Sequence, residues 1–154
     1  MYTKIHIGVI GAGTCSSEIY HQANEVGYLI GKNEWTLFCG GLGGVMEAAA
    51  KGCYQSGGMT VGILPGKEKD SANPFIRLAI ATGLGEGRNL LVVRASDVVV
   101  AIAGGYGTLS EIGLALKIGK PVIGLKIWPG IYGVDYAETP EQAIAQVVKY
   151  LSRR

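Results

Sequence analysis

Four clusters of glycine hold most of the chemistry written in this sequence: Gly11-Ala12-Gly13-Thr14, Gly40-Gly41-Leu42-Gly43-Gly44, Gly83-Leu84-Gly85-Glu86-Gly87 and Gly104-Gly105-Tyr106-Gly107-Thr108. Glycine makes up 25 of the 154 residues, about 16%, against a usual ~7%. It is needed where φ is positive, or where a ligand must come close to the backbone with no Cβ between them. Amides at the start of a helix are unpaired and carry partial positive charge, so several such turns meeting at one place would cradle a phosphate. Two charged residues stand beside the clusters. Arg88 follows the third directly, at the start of an expected helix where a cation opposes the macrodipole, which points to a compensating anion. Glu111 lies three residues after Thr108. It reads either as the far half of a capping box, Thr108-Leu109-Ser110-Glu111, or as a carboxylate on a pocket floor acting as general acid or base.

The elements that must position these residues follow from the apolar pattern. Strands are expected at Ile5–Ile10, Thr36–Cys39, Met59–Leu64, Ile76–Ala81, Val98–Ala103 and Val122–Ile127. Helices are expected at Ser16 to about Gly31, Val45–Tyr54, Arg88–Ala95 and Leu109–Ile118, with a last one opened by Thr139-Pro140-Glu141-Gln142. Lys67–Pro74 reads as a solvated loop. Strand and helix alternating in this way predict a single α/β domain over residues 1–154, a Rossmann-like doubly wound parallel sheet with helices on both faces. The glycine clusters after the first, second, fourth and fifth strands then share one sheet edge, the edge where such folds bind ligands.

Composition narrows the classes. Hydrophobic residues make up 48% and charged residues 17%, a globular composition. A formal charge of +2, with no basic cluster, argues against nucleic acid. No run is long enough to span a membrane, and Met-Tyr-Thr-Lys-Ile-His-Ile at the start reads as having no leader. Cys15, Cys39 and Cys53 read as reduced thiols of a cytoplasmic protein, and His6 and His21 belong to no zinc spacing. Gly11-x-Gly13-x-x-Ser16 lacks the third glycine of the dinucleotide fingerprint, and no acidic residue ends the second strand, which disfavours NAD. The run Gly62 to Glu68 is not a P-loop. One phosphate monoester on a nucleotide-like body fits best.

The run from Ala103 to Glu111, preceded by Gly87-Arg88-Asn89, resembles the superfamily of Lonely Guy (LOG) proteins and molybdenum-cofactor carrier proteins. Gly40–Ala48 and Gly62–Gly66 are similar to its second and third motifs. Members often carry a "lysine decarboxylase-like" label, yet no pyridoxal lysine is read here. The LOG branch hydrolyses nucleoside 5′-monophosphates to free base and ribose 5-phosphate, and the resemblance puts Arg88 and Glu111 at its catalytic places. Asn89 stands where that branch has lysine, and Ala103 where it has proline. The carrier branch is more similar, through Thr82–Asn89 and Glu111–Val122. Such carriers hold a phosphorylated pterin and protect its dithiolene. The resemblance therefore implies molybdenum cofactor as cargo, and a homodimer or homotetramer. Molybdoenzymes or cofactor-biosynthesis proteins are the implied partners. Gly11–Thr14, Gly40, Gly41, Gly43, Gly44, Gly83 and Gly104–Thr108 are the expected binding loops, with Arg88 supplying charge.

Overall fold

A computed structural model describes residues 5–154; the leader reading at Met1–Lys4 lies outside them. Seven strands form one parallel sheet: β1 (His6–Gly11), β2 (Thr36–Cys39), β3 (Thr60–Leu64), β4 (Leu78–Ala81), β5 (Val98–Ile102), β6 (Val122–Leu125) and β7 (Val134–Ala137). Their order is β4-β3-β2-β1-β5-β6-β7. The helices are α1 (Ser17–Lys32), α2 (Val45–Gln55), α3 (Arg88–Ala95), α4 (Tyr106–Lys117) and α5 (Pro140–Leu151).

The period of two along β5 explains how both faces are filled. Val98, Val100 and Ile102 enter one core with α1, α2 and α5, while Val99 and Ala101 enter the other with α3 and α4. Every residue of β5 is buried, as expected for a parallel strand covered on both sides. On the first face, α1 and α2 meet at glycines. A Cβ at Gly27 would collide with the Ala49 carbonyl, and one at Gly52 with the Asn24 carbonyl. Ser16 caps α1 and Thr139 caps α5, the latter with Pro140 in the first turn as the sequence predicts.

Three expectations need correction. A seventh strand, β7, was not read from the sequence. The fourth strand begins at Leu78, not Ile76. Helix α4 begins at Tyr106, three residues before the expected Leu109, with Gly105 as its N-cap. Thr108 therefore sits inside the first turn instead of capping it, and Glu111 is an interior helix residue. The capping-box reading fails.

Candidate functional site

Strand order reverses at β1, which pairs with β2 on one side and β5 on the other. Chains leaving β1 and β5 at their carboxyl ends diverge to opposite faces, and a crevice opens between them. A cleft of about 250 Å³ occupies this crevice, slightly below the roughly 300–1,000 Å³ of most small-molecule sites. That size suits a headgroup and one ring system better than a dinucleotide.

Several predicted residues meet there. Gly11, Ala12 and Gly13 line the cleft from the β1 turn, Gly40 from the β2 turn, and Gly105, Gly107 and Thr108 from the start of α4. Arg88 and Glu111 face the same space. The others lie around it or apart. Gly41 packs on Leu64, and Gly44 on Ala12 and Gly13, so they shape the loop behind the cleft, and Gly43 approaches the Gly13 carbonyl. Gly104, at φ +120°, backs onto Thr108. Tyr106 projects into solvent, and Thr14 is exposed. Gly83 sits beyond β4 at the sheet's edge, its N–H donating to the Gly66 carbonyl at 2.8 Å. Gly85 likewise donates to Pro65 O at 2.9 Å, so both amides of this turn are spent internally.

Glycine has two different reasons at this rim. At Gly40 it makes room, since a Cβ would lie 2.7 Å from Arg88 Nη2 and the Met46 sulfur. At Gly13, Gly105 and Gly107 neither reason of packing nor φ applies. A Cβ there would meet nothing within 4 Å among the described residues, and none of the three has positive φ. Gly107 moreover lies in a helix, where glycine costs up to about 1 kcal/mol relative to alanine. The N-terminus of α4 carries no side-chain cap, so its first-turn amides have no partner from the helix or the N-cap.

The charged pair is unusual for its lack of contacts. Glu111 is 8% exposed, and no hydrogen bond or ion pair reaches its carboxylate among the described residues. Burial pushes its carboxyl up to about 7, against the opposing pull of the nearby Arg88 guanidinium. Arg88 Nη1 donates to Asn89 Oδ1, while Nε is buried with no partner among the described residues. An orphaned buried donor costs about 1–3 kcal/mol, a cost a bound anion would reduce. Below the rim, burial holds the Cys39 thiol up to about 11, which removes it as a nucleophile.

Sequence reasoning missed five contributors. Val9, Ile10, Met46 and Asn89 also line the cleft. Asn73, within the stretch read as a solvated loop, pins the second glycine turn. Its N–H donates to Gly41 O and its Nδ2 to Leu42 O, both at 2.9 Å. At the base of α4, Ala103 has φ +49° and donates its N–H to Leu125 O at 3.1 Å. A proline could do neither.

Residues 4–151 match the model of the SLOG cluster4 family. The chain belongs to that family. Among relatives of this SLOG cluster4 chain, an uncharacterized protein of Archaeoglobus fulgidus is 51% identical, covering 91% of this chain and 92% of the relative. A cytokinin riboside 5′-monophosphate phosphoribohydrolase of Mycobacterium tuberculosis is 30% identical, covering 76% of this chain and 67% of the relative. Among solved structures, the molybdenum cofactor binding protein of Rippkaea orientalis superposes with a TM-score of 0.92 at 37% identity, over 98% of this chain and 99% of that one. The Moco carrier protein of Chlamydomonas reinhardtii gives 0.91 at 36%, over 99% and 100%. The family and the Rossmann-like fold are thereby established, and both agree with the resemblance read from the motifs.

Proposed function

We propose that this SLOG cluster4 protein binds and carries molybdenum cofactor or a closely related phosphorylated pterin. The terminal phosphate would rest on the first-turn amides of α4, with Arg88 supplying countercharge. One observation carries the reading: Gly13, Gly105 and Gly107 are glycines that the fold does not require, and all three open onto the cleft. Omitting a side chain at these places makes sense if a ligand occupies the space. The likeness to two cofactor-binding structures over nearly the whole chain supports the cargo. Delivery to molybdoenzymes, or receipt from cofactor-biosynthesis proteins in the cytoplasm, belongs to the same proposal.

A second reading has its own support. Glu111 and Arg88 share the cleft, and a carboxyl near 7 is suited to proton transfer at neutral pH. With the phosphoribohydrolase relative, this fits cleavage of a nucleoside monophosphate, Arg88 holding phosphate and Glu111 assisting at the ribose. Asn89, which occupies Arg88 Nη1, stands where the LOG branch has a second cation, and this weighs toward the carrier.

Incubation with a panel of nucleoside monophosphates separates the two. For a carrier, no free base or ribose 5-phosphate forms, and saturable retention of the cofactor weakens at least tenfold in Arg88→Ala. Turnover that disappears in a folded Glu111→Ala variant would instead establish the hydrolase.

A further inference from the structure

The anion cradle accounts for the rim of the cleft but not for the carboxylate beneath it. Glu111 lies on the sixth residue of α4, so it sits roughly 5–8 Å along the helix from the first-turn amides. Ile10 and Val9 of β1 and Met46 of α2 supply apolar wall around the same space. A carboxylate offers two oxygens with about four acceptor positions, and here the described residues fill none of them. Arg88 is the cation whose field reaches it, but no ion pair within 4 Å joins the two. The carboxylate of this largely buried residue thus opens onto the cleft with no protein donor, ready for an incoming molecule that brings donors.

We infer that Glu111 reads the ligand's heterocycle, accepting the two adjacent N–H donors of a 2-amino-4-oxopyrimidine edge, the edge that pterins and guanine share. The inference rests on the proposed phosphate cradle and adds the second half of recognition: phosphate at the start of α4, and an N–H pair at the floor. The ring N–H and the exocyclic amine point the same way, at the spacing of the two carboxylate oxygens, so both bonds form together. They are charge-assisted, and they form in a space partly walled from water, where such bonds are strongest. Adenine presents no such pair, and hypoxanthine only one of the two donors. Rejection of a ligand missing a donor is steep when the acceptor is then left buried and unpaired. The hydroxyls of a ribose are the competing source of donors, and they would make Glu111 indifferent to the base.

Calorimetric titration of the intact protein with neopterin monophosphate, GMP, IMP and AMP tests this. Neopterin monophosphate has no N-glycosidic bond, so hydrolysis cannot distort its binding curve. Neopterin monophosphate and GMP should bind at least tenfold more tightly than IMP and AMP. In Glu111→Gln, which keeps the size but opposes a donor to a donor, GMP should fall to the level of IMP, while IMP itself changes less than threefold. The ratio of neopterin monophosphate to GMP tells a pterin from a guanine nucleotide. Four ligands within threefold of one another, still weakened by Arg88→Ala, would overturn the role of Glu111 and leave the cradle standing. A preference that survives Glu111→Gln would also overturn it. Binding of none of the four would remove the cradle as well.

Discussion

At the scale of single residues, the cleft sets stability against function in a measurable way. Gly107→Ala places a methyl where nothing lies within 4 Å and replaces a poor helix former by the best one. The free protein should gain up to about 1 kcal/mol in urea unfolding, while phosphate-ligand affinity falls at least tenfold. An equal affinity in the variant would mean that the glycine is not kept for a ligand. Glu111 makes a prediction in pH. Its folded-state pKa of about 7 exceeds the ordinary value of 4.5, so the folded protein keeps a proton that the unfolded chain releases between those limits. Stability from this group is undiminished below pH 4.5, falls as pH rises toward 7, and stays reduced above it. Glu111→Gln should therefore outlast the parent in denaturant at pH 8 by at most about 3 kcal/mol, with a much smaller difference at pH 5. A difference independent of pH would refute the assignment. Arg88 was legible in advance because a cation at a helix start is locally unfavourable. Burial of Glu111 was not, since only the packing of α4 on the sheet creates it.

At the scale of elements, the glycine turns are held from outside as well as from within. Asn73 reaches from the segment before β4 to two carbonyls of the β2 turn. Asn73→Ala removes two side-chain bonds to the chain, the one Nδ2 donates to Leu42 O and the one Oδ1 accepts from Phe75 N, and should cost about 2 kcal/mol of stability. It should also raise amide exchange across residues 40–44 and lower ligand affinity several-fold. Unchanged exchange there would show that the turn holds its own shape. A stretch rich in Lys, Asp and Ser gave no sign of this bracing, because a side-chain bond to a distant carbonyl leaves no periodicity. Helix α4 deceived for a related reason. Gly105 and Gly107 look like loop residues, and the spacing of Thr108 and Glu111 imitates a cap, yet tertiary packing extends the helix three residues earlier. Strand β7 is short, with Asp135 and Tyr136 exposed at its centre, and offers neither alternation nor a continuous apolar run. The long apolar strands and the capped α1 and α5 were legible because local pattern and final fold agree there.

At the scale of the whole molecule, alternation of strand and helix revealed the class, but not that the order reverses at β1. Pairing of β1 with β5 joins segments about ninety residues apart, which short-range pattern does not encode. The sheet also leaves apolar surface uncovered at one margin. Leu78 and Ile80, in register with Val61 and Ile63, are 47% and 42% exposed, and Leu91 and Leu109 are exposed on α3 and α4 of the same layer. A patch of this kind fits the homodimer or homotetramer that we propose. Light scattering should give a multiple of the chain mass, and Leu78→Lys with Ile80→Lys should shift it to the monomer; a monomeric parent would refute the proposal. A different lesson lies in the bend at Ala103, whose positive φ and hydrogen bond to Leu125 both forbid a pyrrolidine ring. If the proline-bearing LOG branch and this one descend from a common ancestor, the passage between them re-routed main chain under the cleft. Exchange of side chains alone would not retrace that step, and grafting the proline here should unseat α4 before it confers any new chemistry.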